Sequence, residues 1–131
     1  MDETKKQILI VEDEVLVGWT LDNVLKKSGY QVTIVDTAEK ALELLKTTVY
    51  DLIITDFKLP KINGFDMATS LRTSHSHTPI ILMSTEHDQD FHSGLPKNII
   101  SYFIEKPFDI GELLNTISVV FNEQNSASPH V

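Results

Sequence analysis

The sequence predicts an α/β fold in which a doubly wound, five-stranded parallel sheet carries helices on both faces. Five short apolar runs alternate with segments of helical periodicity along a chain of 131 residues, a length that suits one domain. Three of the runs lack polar alternation, which is typical of strands buried on both faces of a parallel sheet. The alternation of strand and helix implies right-handed crossovers. The strand candidates are residues 8–11, 32–35, 52–54, 80–83 and 102–104.

The segments between these runs carry apolar residues at helical spacing and recognisable end signals. Ser28-Gly29 is predicted to end the first helix, and Thr37 to cap the second. Asn63-Gly64 is predicted to form the turn before the third helix, and Asp109 to open the last one in a capping-box pattern with Glu112. In the first helix, apolar residues fall near helical spacing: Val15, Leu16, Trp19, Val24 and Leu25.

The segment between Thr85 and Ser101 has weaker helical character than the others. Gly94 and Pro96 interrupt it, so the fourth helix of the series is expected to be short or irregular. We place one domain over residues 7–121, after a polar lead at 1–6 and before a polar, frayed tail at 122–131.

Composition excludes several classes of protein. The net charge of −8 argues against nucleic-acid binding, which relies on Lys and Arg. No apolar run is long enough to cross a membrane, and the polar start does not resemble a signal peptide. The chain has no cysteine, which excludes disulfides and thiolate metal sites. We therefore expect a cytoplasmic protein.

Charged and hydroxyl-bearing residues follow the predicted strands. Glu12 and Asp13 follow the first run, Asp56 the third, Ser84 the fourth and Lys106 the fifth. In open parallel sheets, sites form beyond the carboxyl ends of the strands. Taken singly, Asp13 could cap a helix, Asp56 could begin a turn and Lys106 could be a solvated charge. Their coincidence at matching strand ends favours a common site.

Clustered carboxylates resist ionisation unless a cation joins them, and Mg²⁺ prefers oxygen ligands. We predict a Mg²⁺ site made by Asp13, Asp56, Glu12 through water, and the backbone carbonyl of Lys58. An aspartate can also attack phosphorus to give an acyl phosphate. Lys106 and the cation would then neutralise the phosphoryl oxygens, and Ser84 would donate a hydrogen bond to them.

Four motifs occur along the chain in a fixed order. They are ILIVEDE at residues 8–14, DLIITDFKLPKINGFD at 51–66, PIILMS at 79–84 and EKPFD at 105–109. With them the chain resembles the response-regulator receiver family of two-component signalling, over about residues 7–121. The resemblance implies a flavodoxin-like sheet with strand order 2-1-3-4-5.

The resemblance also implies roles for single residues. Asp56 matches the phosphoacceptor, and Glu12 with Asp13 matches the acidic pair that holds Mg²⁺. Lys106 matches the family's lysine, which often precedes a cis peptide bond to proline. Ser84 and Phe103 match the hydroxyl and the aromatic ring that move when such domains switch.

For function, the resemblance implies a phosphoprotein that receives its phosphoryl group from a sensor histidine kinase or a histidine phosphotransfer protein. It would signal to a downstream protein target as a monomer or as a phosphorylation-dependent dimer, and would catalyse only its own phosphorylation and dephosphorylation. We expect no DNA-binding region after Phe121. A stand-alone receiver, a relay shuttle, an allosteric regulator and the receiver part of a hybrid kinase all remain open.

Two other classes of protein fit less well. Phosphatases with an aspartyl-phosphate intermediate carry a second Asp two residues after the nucleophile, where this chain has Lys58. A degenerate receiver, used as a phosphorylation-independent binding module, would lack part of the site, and all of its residues are present. The chain departs from the family pattern at Thr85, where a small residue is usual, and at Ile99-Ile100, where Gly-Ala is usual. We expect Thr85 to narrow the approach to Asp56.

The five histidines lack acidic or cysteine partners at metal-ligand spacing. We expect His75 and His77 to be solvated loop residues, and His87 and His92 to lie in the irregular segment. Trp19 is expected to pack in or at the edge of the core rather than to form a binding platform.

Overall fold

The computed structural model describes residues 5–85 and 98–127 and confirms the predicted fold. The sheet contains β1 (Gln7–Val11), β2 (Gln31–Val35), β3 (Leu52–Asp56), β4 (Ile80–Thr85) and β5 (Tyr102–Lys106). All neighbouring strands pair in parallel, in the order β2-β1-β3-β4-β5. This is the order that the resemblance implies, and it changes direction between β1 and β3.

Four helices lie within the described residues: α1 (Val15–Lys27), α2 (Ala38–Leu45), α3 (Gly64–Leu71) and α4 (Ile110–Ala127). The last of these continues past Phe121, so part of the stretch predicted to be a frayed tail is helical. The predicted short or irregular helix between Thr85 and Ser101 falls on residues 86–97, outside the described part, together with His87 and His92. None of the helices in residues 5–85 and 98–127 has the length and apolar character that a bilayer crossing requires.

The three central strands of the sheet, β1, β3 and β4, are buried on both faces, and each face of the sheet has its own core. Because side chains alternate along a strand, Ile8 and Ile10 of β1 enter the core shared with α1 and α4. Leu9 and Val11 enter the core shared with α2 and α3. Continuous apolar runs in the sequence are the direct result of this arrangement.

The apolar residues at helical spacing in α1 do not all face the core. The buried residues of α1 are Gly18, Leu21 and Leu25, whereas Val15, Leu16 and Trp19 are exposed, Trp19 by 65%. Leu16 and Trp19 are turned roughly 160° and 100° away from Gly18 around the helix axis. Val15 is the first residue of the helix and is also exposed. Trp19 is therefore a surface residue, not a core one.

The helix ends follow the sequence signals closely. Thr37 Oγ1 accepts a hydrogen bond from the Lys40 N–H at 3.1 Å, and Asp109 Oδ2 accepts one from the Glu112 N–H at 3.0 Å. Both predicted caps are confirmed. Gly29, with φ of +97°, ends α1 as predicted, because glycine adopts this conformation without steric cost.

At the opposite edge of the sheet, side chains fix the loops between elements. The Arg72 guanidinium donates hydrogen bonds to the carbonyl oxygens of His75, Thr78 and Ile99, at 2.7, 2.8 and 2.6 Å. A ring nitrogen of His75 lies 2.8 Å from the Leu45 carbonyl oxygen, so His75 joins α2 and is not a solvated loop residue. Ile100 is buried and fills the core at the position where the family pattern has a small residue.

Gly64 allows the start of α3 to touch the end of β3. It is the first residue of α3 and not part of a preceding turn, and Asn63 caps the helix by accepting from the Asp66 N–H. A Cβ atom on Gly64 would lie 2.2 Å from the carbonyl oxygen of Asp56, a distance that real side chains do not adopt. Any residue larger than glycine must displace the Asp56 backbone or α3.

We therefore predict that Gly64→Ala lowers the free energy of unfolding by roughly 1–3 kcal/mol, as measured by urea denaturation. Gly18→Ala is the matched control, because a Cβ there would make only ordinary contacts with Ile34, at 3.7 and 3.8 Å. Alanine within α1 should leave stability unchanged or raise it by up to about 1 kcal/mol. Equal stability of the two variants would contradict the close approach of Gly64 to Asp56.

Candidate functional site

The carboxyl edge of the sheet brings together three charged residues from distant parts of the chain. Glu12 follows β1, and Asp56 and Lys106 end β3 and β5. Lys106 Nζ donates to Glu12 Oε1 at 3.0 Å and to Asp56 Oδ2 at 3.1 Å. Glu12 and Lys106 are 94 positions apart in the sequence, so only the parallel sheet brings them into contact.

These three side chains are withdrawn from water. The exposed fraction of the side chain is 0% for Glu12, 9% for Asp56 and 13% for Lys106. Burial and the negative charge of Glu12 raise the pKa of the Asp56 carboxyl to about 6, although Lys106 opposes that rise. Burial alone would lower the pKa of the Lys106 ammonium, but its contacts with Glu12 and Asp56 raise it. The alternative in which Lys106 is a solvated charge is wrong.

Asp13 completes the acidic cluster. Carboxylate oxygens of Glu12, Asp13 and Asp56 all lie within 4.8 Å of one another. The residue that caps α1 is Glu14, and it makes no capping hydrogen bond, so Asp13 is not the cap of that helix. Lys106 is the only cation in salt-bridge contact with this cluster among residues 5–85 and 98–127. Three hard oxygen donors with one ammonium leave net negative charge, which fits Mg²⁺.

A cavity of about 720 Å³ opens onto Asp56. Asp13, Lys58, Thr85 and Lys106 line it as well. The other lining residues are mostly apolar and come from α1 and from the residues that follow Lys106: Leu16, Val17, Thr20, Pro107 and Phe108. The predicted contribution of the Lys58 carbonyl to a metal, and the predicted narrowing by Thr85, stay predictions.

The two residues expected to switch lie on neighbouring strands. Ser84 is buried near the end of β4, directly after Met83, which pairs with Asp56. Phe103 lies on β5 opposite Leu82 and is 37% exposed. The peptide bond between Lys106 and Pro107 is cis, as the resemblance implies. The switching roles of Ser84 and Phe103 stay predictions.

Sequence reasoning missed two residues at this site. Glu14 Oε1 lies 3.3 Å from Lys106 Nζ, a contact that the motif at residues 8–14 does not predict. Its signal was the run of three consecutive acidic residues that follows β1. Asn63-Gly64 predicts a turn, and the local sequence carries no signal of the close approach of Gly64 to the Asp56 backbone.

Comparison with known proteins gives the same picture. The family model described as the response regulator receiver domain matches residues 8–118. Response regulator ArlR of Staphylococcus aureus strain Mu50 is 38% identical over 119 residues, which are 90% of this chain and 53% of that protein. This chain thus spans about half the length of the curated relatives that it matches.

Two solved structures illustrate the similarity of fold. The chemotaxis response regulator CheY4 of Vibrio cholerae has a TM-score of 0.83 and 25% identity, and the match covers 89% of this chain and 99% of that one. Response regulator TrrA of Thermotoga maritima, in complex with Mg²⁺-BeF, has a TM-score of 0.79 and 28% identity, and the match covers 88% of this chain and 98% of that one.

A sheet of this order, with an acidic cluster and a lysine at its carboxyl edge, defines a receiver domain. The chain belongs to the response regulator receiver domain family of two-component systems. Its acidic cluster fits both Mg²⁺ and an aspartyl phosphate.

The raised pKa of Asp56 predicts that Asp56→Asn stabilises the fold at neutral pH when no divalent cation is present. In the folded protein the Asp56 pKa is about 6, compared with 3.8 for an ordinary aspartate side chain. The ionised carboxylate therefore lowers stability progressively as the pH rises from about 4 to 6, and fully above that range. We expect Asp56→Asn to raise the free energy of unfolding by roughly 1–3 kcal/mol at pH 7.5 with EDTA, measured by urea denaturation.

The same measurement at pH 4 is the control, because the Asp56 carboxyl is then protonated and the two proteins should differ little. Adding Mg²⁺ at pH 7.5 should raise the melting temperature of the parent more than that of Asp56→Asn. An equal gap at both pH values, or equal stabilisation by Mg²⁺, would refute the electrostatic explanation.

Proposed function

We propose that this chain accepts a phosphoryl group on Asp56 and signals through protein contacts that depend on the phosphorylation. Mg²⁺ would be held by Asp13, Asp56, Glu12 through water and the Lys58 carbonyl. The observation that carries the proposal is the buried Asp56 carboxylate, 3.1 Å from Lys106 Nζ and inside the acidic cluster. The cavity gives a phosphodonor access to it.

The chemistry follows from the charges at the site. At pH 7 a carboxyl group with a pKa of about 6 is mostly ionised and can attack phosphorus. A carboxylate oxygen of Asp56 forms the new bond to phosphorus, and the donor's leaving group departs with the electron pair of the broken bond. Lys106 neutralises charge on the transferring oxygens, and Ser84 donates a hydrogen bond to them. Mg²⁺, when bound, supplies further charge neutralisation.

The proposed donor is a sensor histidine kinase or a histidine phosphotransfer protein, and the proposed acceptor of the signal is a downstream protein target. Membership of the receiver family supports both. The exposed apolar side chains Val15, Leu16 and Trp19 give a partner protein a surface beside the cavity. We further propose a cytoplasmic protein, either a monomer or a dimer that forms on phosphorylation.

The chain is not proposed to turn over outside substrates. Lys58 occupies the position at which aspartyl-phosphate phosphatases have their second Asp, and an ammonium group cannot act there as a carboxylate base. The chain would catalyse only its own phosphorylation and dephosphorylation. The alternative of a phosphorylation-independent binding module differs in one measurable outcome, the absence of labelling.

We predict that acetyl phosphate with Mg²⁺ adds one phosphate to the parent and none to Asp56→Asn, as measured by mass spectrometry of the intact protein. EDTA should abolish the adduct, because the acidic cluster then lacks its cation. Asp66→Asn is the matched control, since Asp66 is exposed in the first turn of α3, and it should label like the parent. A parent that never labels, yet binds its partners equally, would support the binding-module alternative.

The position of Thr85 on the cavity wall predicts that Thr85→Ala labels faster than the parent. Removing the branched side chain widens the approach to Asp56, and we expect a gain of about 2- to 5-fold, equivalent to roughly 0.5–1 kcal/mol of barrier. Thr85→Val keeps the branch without the hydroxyl group and should remain slow. An unchanged or lower rate for Thr85→Ala would contradict the narrowing.

A further inference from the structure

Lys106 has one more partner than the proposed chemistry uses. An ammonium group has three N–H donors, and three carboxylate oxygens surround Lys106 Nζ. Besides Glu12 and Asp56, Glu14 Oε1 lies 3.3 Å away. The Lys106 side chain is only 13% exposed, so these three carboxylates account for its donors.

The three contacts are not equivalent. The Glu12 and Asp56 side chains are almost fully buried, whereas the Glu14 side chain is 63% exposed and makes the longest of the three contacts. Ion pairs with an exposed member are weak, because water competes for the charge. Glu14 is therefore the partner that Lys106 releases most easily.

The backbone of Glu14 is nevertheless held at the site. Its N–H donates to Glu12 Oε2 at 3.0 Å, and its carbonyl oxygen accepts from the Gly18 N–H at 3.0 Å. The side chain lines the same cavity as Asp56 and Thr85. These hydrogen bonds thus fix the backbone of Glu14, while its exposed carboxylate can turn away from Lys106 into water.

A phosphoryl group on Asp56 needs a donor from Lys106, and all three donors already have partners. We propose that Glu14 is a positioning residue which holds the third donor of Lys106 before transfer, releases it to the phosphoryl oxygens, and so slows the phosphorylation of Asp56. This inference rests on the proposed function. The negative charge of the Glu14 carboxylate at the cavity also repels an anionic phosphodonor.

The transfer itself is the one already described, in which Asp56 bonds to phosphorus and acetate leaves with the electron pair when acetyl phosphate is the donor. Glu14 forms no bond to phosphorus and gains no proton. Its effect on the rate is electrostatic, so it should weaken as salt screens the charge.

The test compares the rate of labelling by acetyl phosphate in the parent, Glu14→Gln and Glu43→Gln, at a fixed saturating Mg²⁺ concentration. Glu43→Gln is the matched control, because Glu43 is also an exposed glutamate paired with a lysine, Lys46, but belongs to α2. We expect Glu14→Gln to label about 2- to 5-fold faster than the parent at low salt. The gain should shrink at high salt, and Glu43→Gln should match the parent.

A second measurement follows the contact itself. The NMR signal of the Lys106 ammonium group should differ between the parent and Glu14→Gln before phosphorylation, because the third donor changes its partner. After phosphorylation the two signals should coincide, because Glu14 has then left Lys106. A purely structural role for Glu14 would leave the difference unchanged in both states.

The outcomes separate this inference from the proposed function. If the parent labels on Asp56 but Glu14→Gln labels at the same or a lower rate, the role of Glu14 is refuted and the proposed function stands. A gain shared equally by Glu43→Gln, or a signal difference that persists after phosphorylation, also refutes it. If the parent does not label at all, the proposed function fails and this inference fails with it.

Discussion

The contact of Lys106 with Glu12 and Asp56 is the interaction on which the site depends. Two carboxylates at the end of a buried sheet are costly to keep ionised, and a single ammonium group offsets only part of that cost. The raised pKa of Asp56 reflects the part of this cost that Lys106 does not offset. Incomplete neutralisation leaves net negative charge on a cluster of carboxylates that could hold a divalent cation.

The rest of the fold keeps this contact in place. One hydrophobic core packs against each face of the sheet. This packing fixes the strand ends relative to one another. Gly64 brings α3 directly against the Asp56 backbone, and Arg72 ties the loop before β4 to the start of β5 at the opposite edge. These contacts fix the end of β3, which carries Asp56, and the start of β5, which carries Lys106. A site whose side chains must be accurately placed requires such a rigid support.

Much of this could be predicted from residue patterns. Buried strands lack polar alternation, and capping residues such as Thr37 and Asp109 act within one helical turn. Both features can therefore be predicted from the local sequence. The wrong predictions concern residues whose burial depends on which element packs against them. Trp19 lies at helical spacing with buried residues of α1 but is itself exposed. His75 contacts α2 across a distance that no local pattern encodes. The close approach of Gly64 to Asp56 is also a contact between elements.

By itself, the sequence determined the alternation of strands and helices and the identity of the chemical groups at the strand ends, because these depend on residue type and short-range periodicity. Only the tertiary structure decided how those groups meet. Which carboxylates contact Lys106, how deeply each is buried and how far the pKa of Asp56 rises all depend on distances between residues far apart in the chain. The third contact, from Glu14, is the clearest case, because the run of acidic residues after β1 does not show which of its side chains reach Lys106.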